Sequence, residues 1–357
     1  MRIWLEASLI ARGGSGGSRR YAERLADGLW ALREDILMIT DGPDSALRVP
    51  SRSLRIGTRI SHASWTLTRR PLITSLVGGP APDLVHAAES ITIPPVPSRV
   101  TLAVTVHDTW CIRHRCGGRL GFLVRRAWAT RGGWDLVLTG TSASKSDLVN
   151  LGISEAAIAV TPYGVEAAFL VPPENPQSVR SRLGLDPDAP YLLFVGPVSH
   201  KKGGDLLLSA YGILRRRHKG LVLVVRGPSK VEGLATRPDS LGGSGIRFLA
   251  PVSDADLAAL YAGAAVVVCP SRTEGYNFPL VEALSVGANV VATDIPIHRE
   301  VSQGIGMFIP PESIDALVDG IDTALATPSP ATGFTPPRWE DTARQTAAAY
   351  RGTRRRG

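Results

Sequence analysis

Two short stretches bring together residue types able to do chemistry. In the first, the apolar run Tyr191–Val195 ends at Gly196, and Lys201, Lys202, Gly203 and Gly204 follow where a helix opens. Lysines at a helix start do not serve the helix, whose dipole favours anions there. They make sense if an anion sits at that point, where free backbone N–H groups and two cations together would hold a diphosphate. Taken alone, a solvated Lys-Lys pair beside a turn explains them equally well. In the second stretch, Ala265–Cys269 runs through Pro270-Ser-Arg-Thr into Glu274-Gly275-Tyr276-Asn277-Phe278-Pro279 and then Leu280-Val-Glu282. Pro279 suits a first helical turn. Glu274 then lies on a loop and Glu282 about one turn into the helix, so both can approach one molecule. Carboxylates accept hydrogen bonds from vicinal hydroxyls such as those of a ribose or hexose. Separately each reads as an ordinary acid; the pairing on one strand–loop–helix frame favours binding.

These stretches need strands and helices to hold them. Apolar runs alternate with helix-like segments along the chain: strands are expected at Arg2–Ala7, Ile36–Thr40, Asp83–His86, Thr101–Val106, Asp135–Thr139 and Ile158–Thr161. A glycine-rich loop, Arg12–Ser18, leads into a helix over Arg19–Leu32. After a proline-rich break at Val171–Pro190 the alternation restarts, with strands at Tyr191–Val195, Leu221–Arg226, Ile246–Leu249, Ala265–Cys269 and Asn289–Ala292. Short apolar strands without strict alternation indicate parallel sheets buried on both faces. The pattern predicts two doubly wound α/β domains, residues 1–170 and 171–336, and a helix within 337–357. Ligands of such sheets bind beyond the carboxyl ends of the strands. Arg52–Arg70 and Val77–Pro82 resist assignment.

The 357 residues carry a formal net charge of +8. The first 170 residues hold 20 of the 40 Lys+Arg but only 14 of the 32 Asp+Glu, so the excess is mainly N-terminal. Such a half suits an anionic partner or plain solubility. Arg113–Arg131, with Phe122 and Trp128 interleaved, suits an anionic lipid surface or a charged acceptor better than nucleic acid. Cys111, Cys116 and Cys269 form no CxxC pair, and their odd, sparse count fits a reducing compartment. Glu6 interrupts the N-terminal apolar run, which reads as a strand and not a leader. No run of about 18 apolar residues exists to span a bilayer.

The segments Gly196–Gly203 (GPVSHKKG) and Glu274–Glu282 (EGYNFPLVE) resemble the retaining glycosyltransferases of family 4, which have the GT-B fold. Ala250–Ala265, Gly287–Val301, Thr101–Asp108, Thr141–Lys145 and Pro162–Glu166 extend the likeness over most of the chain. The resemblance implies two facing Rossmann-like domains with a central cleft. The first would bind the acceptor and the second a nucleotide diphosphate sugar, with the last helix packing back on the first. It implies that Lys202, assisted by Lys201, neutralises the diphosphate and that Glu274 contacts the transferred sugar. Backbone N–H groups of Tyr276, Asn277 and Phe278 would hold sugar and phosphate, and Glu282 the ribose. Gly196, Val252, Gly275 and Pro279 would complete the donor site, with Gly16 and Gly17 of the glycine-rich loop bordering the phosphates. His107, at a strand end, would lie by the reactive centre. Family members often have Arg where Pro197 stands, and usually a glycine at the position of Asn277.

The implied reaction is hexosyl transfer (mannose, glucose or rhamnose type) with retention, by front-face substitution. The acceptor would be a glycan, a lipid-linked molecule or a small molecule. No metal or other cofactor is expected: two lysines and helix N-termini would stabilise the leaving phosphate. Asp254–Asp256 reads as a helix cap and Asp186–Asp188 as a linker turn. The expected location is cytoplasmic, with peripheral contact at the inner face of an anionic membrane, and no nucleic-acid partner is expected. The rival reading is a nucleotide-sugar epimerase. A dinucleotide oxidoreductase is disfavoured, because Gly13–Ser18 lacks GxGxxG. His86 reads as a core residue at a similar strand end, and His298 lies near the donor side on a turn.

Overall fold

A computed structural model describes residues 1–8, 16–42, 47–114, 117–228 and 245–353. The chain divides into two compact units, residues 1–164 with 337–357, and residues 165–336. The first boundary precedes the proline-rich stretch because Ala167–Phe169 already packs in the second unit, where the Phe169 ring lies 6.1 Å from that of Tyr261.

In the first unit, strands β1 (Arg2–Glu6), β2 (Asp35–Thr40), β3 (Ser51–Ser53), β4 (Leu84–Ala87), β5 (Thr101–Thr105), β6 (Leu136–Thr139) and β7 (Ile158–Val160) form one sheet. Their order is β3-β2-β1-β4-β5-β6-β7, and every pairing is parallel. All four residues of β4 and of β6 are buried, as helices on both faces require. The helix Trp339–Gly352 belongs to this unit and lies against the helix Gly17–Ala31. Gly28 permits that approach, since a Cβ there would come within 2.5 Å of the Ala343 Cβ. Trp339, Ala343, Ala347 and Tyr350 form the buried stripe of the helix.

In the second unit, β8 (Tyr191–Val195), β9 (Val222–Arg226), β10 (Ile246–Leu249), β11 (Val266–Cys269), β12 (Val290–Thr293) and β13 (Met307–Ile309) pair in the order β10-β9-β8-β11-β12-β13, again all parallel. The core lies between this sheet and the helices Gly204–Arg217 and Ile314–Ala326, built from residues such as Phe194, Leu207, Tyr211, Val225 and Ile321. In each unit the strand order reverses once, between β1 and β4 and between β8 and β11. Two successive crossovers leave such a point in opposite directions, which opens a crevice at the carboxyl ends of those strands.

The unassigned stretch Arg52–Arg70 takes in the last two residues of β3 and the helix Thr58–Thr68, and a short helix Ile73–Val77 follows. No described helix is long and apolar enough to cross a membrane. Cys269 is a buried free thiol, whereas Cys111 is disulfide-bonded, a state that the reducing compartment read from the sparse cysteine count does not favour.

Candidate active site

Lys202 follows β8 and Glu274 follows β11, the two strands that flank the reversal of the second sheet. The sheet therefore delivers them to one place. Lys202 Nζ donates to Glu274 Oε1 at 2.6 Å, and Ser271 Oγ donates to the same oxygen at 2.6 Å. Glu274 is only 6% exposed. Burial pushes its carboxyl up, but the Lys202 ammonium and the two hydrogen bonds outweigh that and hold it below the usual carboxylate range. Beneath it, burial and the Glu274 charge push the Cys269 thiol up to about 12. The pair is thus a fixed carboxylate and ammonium at the mouth of the sheet.

The turn carrying the lysines is braced from the opposite loop. Gly203 has φ +67, and a Cβ there would fall 2.0 Å from the Pro270 carbonyl oxygen, so the two loops touch through backbone. Arg272 finishes the brace. Its Nη1 and Nη2 donate to the two carboxylate oxygens of Asp205 at 2.6 and 2.8 Å. Nη1 also donates to the His200 carbonyl at 2.6 Å, and the Arg272 amide donates to the Lys201 carbonyl at 3.0 Å. Nε reaches Glu312 at 2.6 Å. The guanidinium holds the Asp205 carboxyl below its ordinary value. Planar two-point pairing of this kind fixes orientation as well as distance. Neither Arg272 nor Ser271 was singled out from sequence. The available signal was an arginine in the strand-to-helix loop that carries Glu274.

Asn277 caps the helix Phe278–Ser285 with left-handed backbone angles, φ 69 and ψ 68. Its Oδ1 accepts from the Leu280 amide at 3.4 Å, and its Nδ2 donates to His298 Nε2 at 2.8 Å. His298 Nδ1–H donates to the Thr293 carbonyl at 2.8 Å, which fixes the tautomer. Burial pushes this imidazole's pKa down, against the pull of Glu274. His298 therefore lies not on a turn but inside the helix Pro296–Val301, fully buried, because its ring is the second anchor of the Asn277 cap.

The other expected donor-site residues are distributed around this frame. Gly275 and Tyr276 are buried, the rings of Tyr276 and Phe278 lie 5.2 Å apart, and Pro279 occupies the first helical turn. Glu282 is 3% exposed and accepts from the Tyr261 hydroxyl at 3.0 Å, a partner that Glu274 does not share. Gly196 ends β8 with φ +135, and Lys201 is half-buried. Val252 is partly exposed just before Ser253, which caps the helix Asp254–Gly263 by accepting from the Asp256 amide. The cap is thus Ser253, and Asp254 and Asp256 occupy the first turn.

In the first unit, Gly16 caps the helix that begins at Gly17, and the preceding part of the glycine-rich loop lies outside the described residues. His107 follows β5. Its Nε2–H donates to the Ala88 carbonyl at 3.0 Å, and its Nδ1 lies 3.1 Å from the Tyr163 hydroxyl. His86 is a core residue, with Nδ1 2.7 Å from the Tyr350 hydroxyl and Nε2 2.6 Å from Thr105 Oγ1. Burial, and to a lesser degree His107, push its imidazole down to about 3. Among the described residues no three His, Cys, Asp or Glu side chains converge as a metal site.

Two family models match the chain in tandem: Glycosyltransferase Family 4 over residues 15–169, and Glycosyl transferases group 1 over residues 176–345. A D-inositol 3-phosphate glycosyltransferase of Kineococcus radiotolerans is 31% identical over 245 residues, which is 62% of this chain and 53% of that protein. The Frankia alni protein of the same name is 34% identical over 50% of this chain and 49% of its own length. The chain spans about half the length of the curated relatives it matches. Sucrose-phosphate synthase from Thermosynechococcus elongatus shares its fold, with TM-score 0.74, 20% identity and 98% of each chain covered. Anabaena HepE in complex with UDP-glucose superposes with TM-score 0.68 at 18% identity, over 98% of this chain and 95% of its own. WaaG, a glycosyltransferase involved in lipopolysaccharide biosynthesis, gives 0.70 at 18% identity over 97% and 95%. The two parallel-sheet units and these neighbours establish a GT-B fold.

Proposed function

The chain belongs to the glycosyltransferases of family 4, and on that premise we propose that it moves a hexosyl group, of mannose, glucose or rhamnose type, from a nucleotide diphosphate sugar to an acceptor with retention at the anomeric carbon. The observation that carries the reading is the partly buried Lys202–Glu274 pair at the reversal of the second sheet. Lys202 is the cation for the diphosphate, and Lys201 adds a second. Glu274, kept ionised, accepts from hydroxyls of the transferred sugar, and the amides of Tyr276, Asn277 and Phe278 donate to sugar and phosphate. Glu282, steadied by Tyr261, takes the ribose hydroxyls. UDP-glucose bound to the fold neighbour HepE supports a nucleotide-sugar donor.

Bond changes balance without a protein nucleophile. The bond from the anomeric carbon to the β-phosphate oxygen breaks, and the acceptor oxygen bonds to the same face of that carbon. The departing phosphate takes the acceptor's proton. The lysines act where charge develops, which is the interaction that accelerates a reaction. The acceptor, a glycan, lipid-linked molecule or small molecule, belongs to the first unit, where His107 follows β5. The reaction is assigned to the cytoplasmic side and needs no divalent ion.

A panel of nucleoside diphosphates and nucleotide sugars in thermal-shift assays, with the active donor then followed by anomeric NMR, tests the reading. A donor that stabilises the wild type but not Lys202→Ala, and a product of unchanged anomeric configuration, support it. An inverted product, or equal shifts in both proteins, overturns it. Activity that survives chelator treatment is the expected outcome for metal independence.

A further inference from the structure

The first unit holds a cavity of about 210 Å³ between the helices Thr58–Thr68 and Gly118–Trp128 and the segment after β4. Trp65, Arg69, Thr92, Ile93, Arg126 and Thr130 line it, and no acidic side chain does. Arg69 donates to the Ile93 carbonyl at 2.6 Å. Arg126 donates to the carbonyls of Thr66 and Leu67 at 3.1 and 3.4 Å. Those are backbone partners; among the described residues neither guanidinium meets a carboxylate. Burial, and after it the like charge of Arg126, push the Arg69 guanidinium's pKa down. Two cations facing one cavity without a counter-charge repel each other, a cost that an anion between them removes. A guanidinium has five N–H donors in a planar fork, so most remain for a ligand.

The neutral groups of the cavity are already satisfied. The Trp65 indole N–H donates to the Pro71 carbonyl at 2.9 Å. Thr130 Oγ1 donates to the Ala127 carbonyl at 2.7 Å and accepts from Trp134 Nε1 at 3.1 Å. Thr92 Oγ1 is hydrogen-bonded to His62 Nδ1. Recognition therefore falls to the two arginines. The space is smaller than the roughly 300–1,000 Å³ that enclose a whole drug-sized ligand, so it accepts a group, not a large molecule.

We propose that the Arg69–Arg126 cavity is a binding site for a phosphate group, bridging the two guanidiniums. A phosphate offers enough oxygens to accept from both forks at once, and arginine is the side chain suited to that geometry. The neighbouring surface adds a second property: Phe122, one turn before Arg126 on the same helix face, is 44% exposed. A phosphate carried by a soluble ester and one carried by a lipid headgroup both present the same chemistry to the arginines; apolar contact at Phe122 belongs to the second.

Titration calorimetry with glycerol 3-phosphate reads the first source. Sedimentation with phosphatidylglycerol vesicles, against phosphatidylcholine, reads the second. The wild type is compared with Arg126→Gln and with the double variant Arg69→Gln/Arg126→Gln. The difference between wild type and variant isolates the cavity from any phosphate held near Lys202. At least a tenfold loss of affinity in the variants is expected. Loss with the soluble ester assigns a free phosphate, and loss confined to phosphatidylglycerol assigns a headgroup. Arg126 is exposed, so Arg126→Gln alone serves if the double variant melts early. Equal binding of both probes by wild type and Arg126→Gln, or no binding of either by the wild type, overturns the proposal.

Discussion

Asn277 Nδ2 donates to His298 Nε2 across 2.8 Å, and the contact ties a left-handed helix cap to a buried imidazole on the next helix. Two features of asparagine serve here: tolerance of positive φ and an amide N–H for the ring nitrogen. Asn277→Gly keeps the first and loses the second, leaving Nε2 without its donor at a cost of about 1–3 kcal/mol. Asn277→Ala loses both and adds about 1–2 kcal/mol for its Cβ in the left-handed region. Denaturant unfolding should rank wild type above Gly above Ala. An alanine variant as stable as the glycine variant would show that the cap is not strained.

Removing Lys202 should harm the fold as well as donor binding. Lys202→Met leaves Glu274 buried without its ammonium, and breaking such a pair costs about 3–5 kcal/mol. The loss has a definite pH sign. Without Lys202, burial is expected to raise the Glu274 carboxyl above its unfolded value. A raised carboxyl pKa contributes stability at low pH and withdraws it as pH rises, so Lys202→Met should recover towards wild type on acidification. Glu274→Gln in the same chain should restore most stability at neutral pH. A double variant as weak as Lys202→Met would contradict the pairing.

Arg272 touches the lysine turn at Asp205, His200 and Lys201, and its part is positioning. Arg272→Lys keeps the charge but not the two-point grip on Asp205. The expected result is about a tenfold weaker nucleoside diphosphate affinity with a small change in melting temperature, read by calorimetry. Arg272→Ala should be worse on both counts. Unchanged affinity in both variants would mean that the turn holds itself.

His86 sets an acid limit on the first unit. Its folded value, about 3, lies below the ordinary 6.5. The unfolded chain therefore binds the extra proton between those values, and stability falls as pH drops through that window. The slope contributed is up to about 1.4 kcal/mol per pH unit. Melts of the wild type and His86→Gln from pH 7 to 4 should show a steeper decline in the wild type. Parallel declines would assign the acid sensitivity to the buried carboxylates instead.

Much of this was readable in advance because burial on both faces leaves a strong sequence trace. β8 and β10 fall on the apolar runs that suggested them, and β11, buried at every residue, needs only a one-residue shift. The loop–helix frame of Glu274 and Glu282 was equally plain, since Pro279 marks the first turn. β3 escaped because it is a three-residue polar edge strand, Ser51–Ser53, with little apolar content. The helix Thr58–Thr68 escaped because it shows Ile60 and Leu67 to solvent and buries Ser61 and His62, the reverse of the usual pattern. Arg272 escaped because its meaning lies in Asp205, a partner 67 residues away that only the folded chain brings near.

The return of the helix Trp339–Gly352 to the first unit has a consequence for biosynthesis. Residues 165–336 are contiguous, so the second unit can complete itself as soon as it leaves the ribosome. The groove beside Gly28 must wait for Ala343, Ala347 and Tyr350, which are made only after the whole of the second unit. The usual order of vectorial folding, N-terminal domain first, is therefore inverted between these two units: the one begun first is the one sealed second.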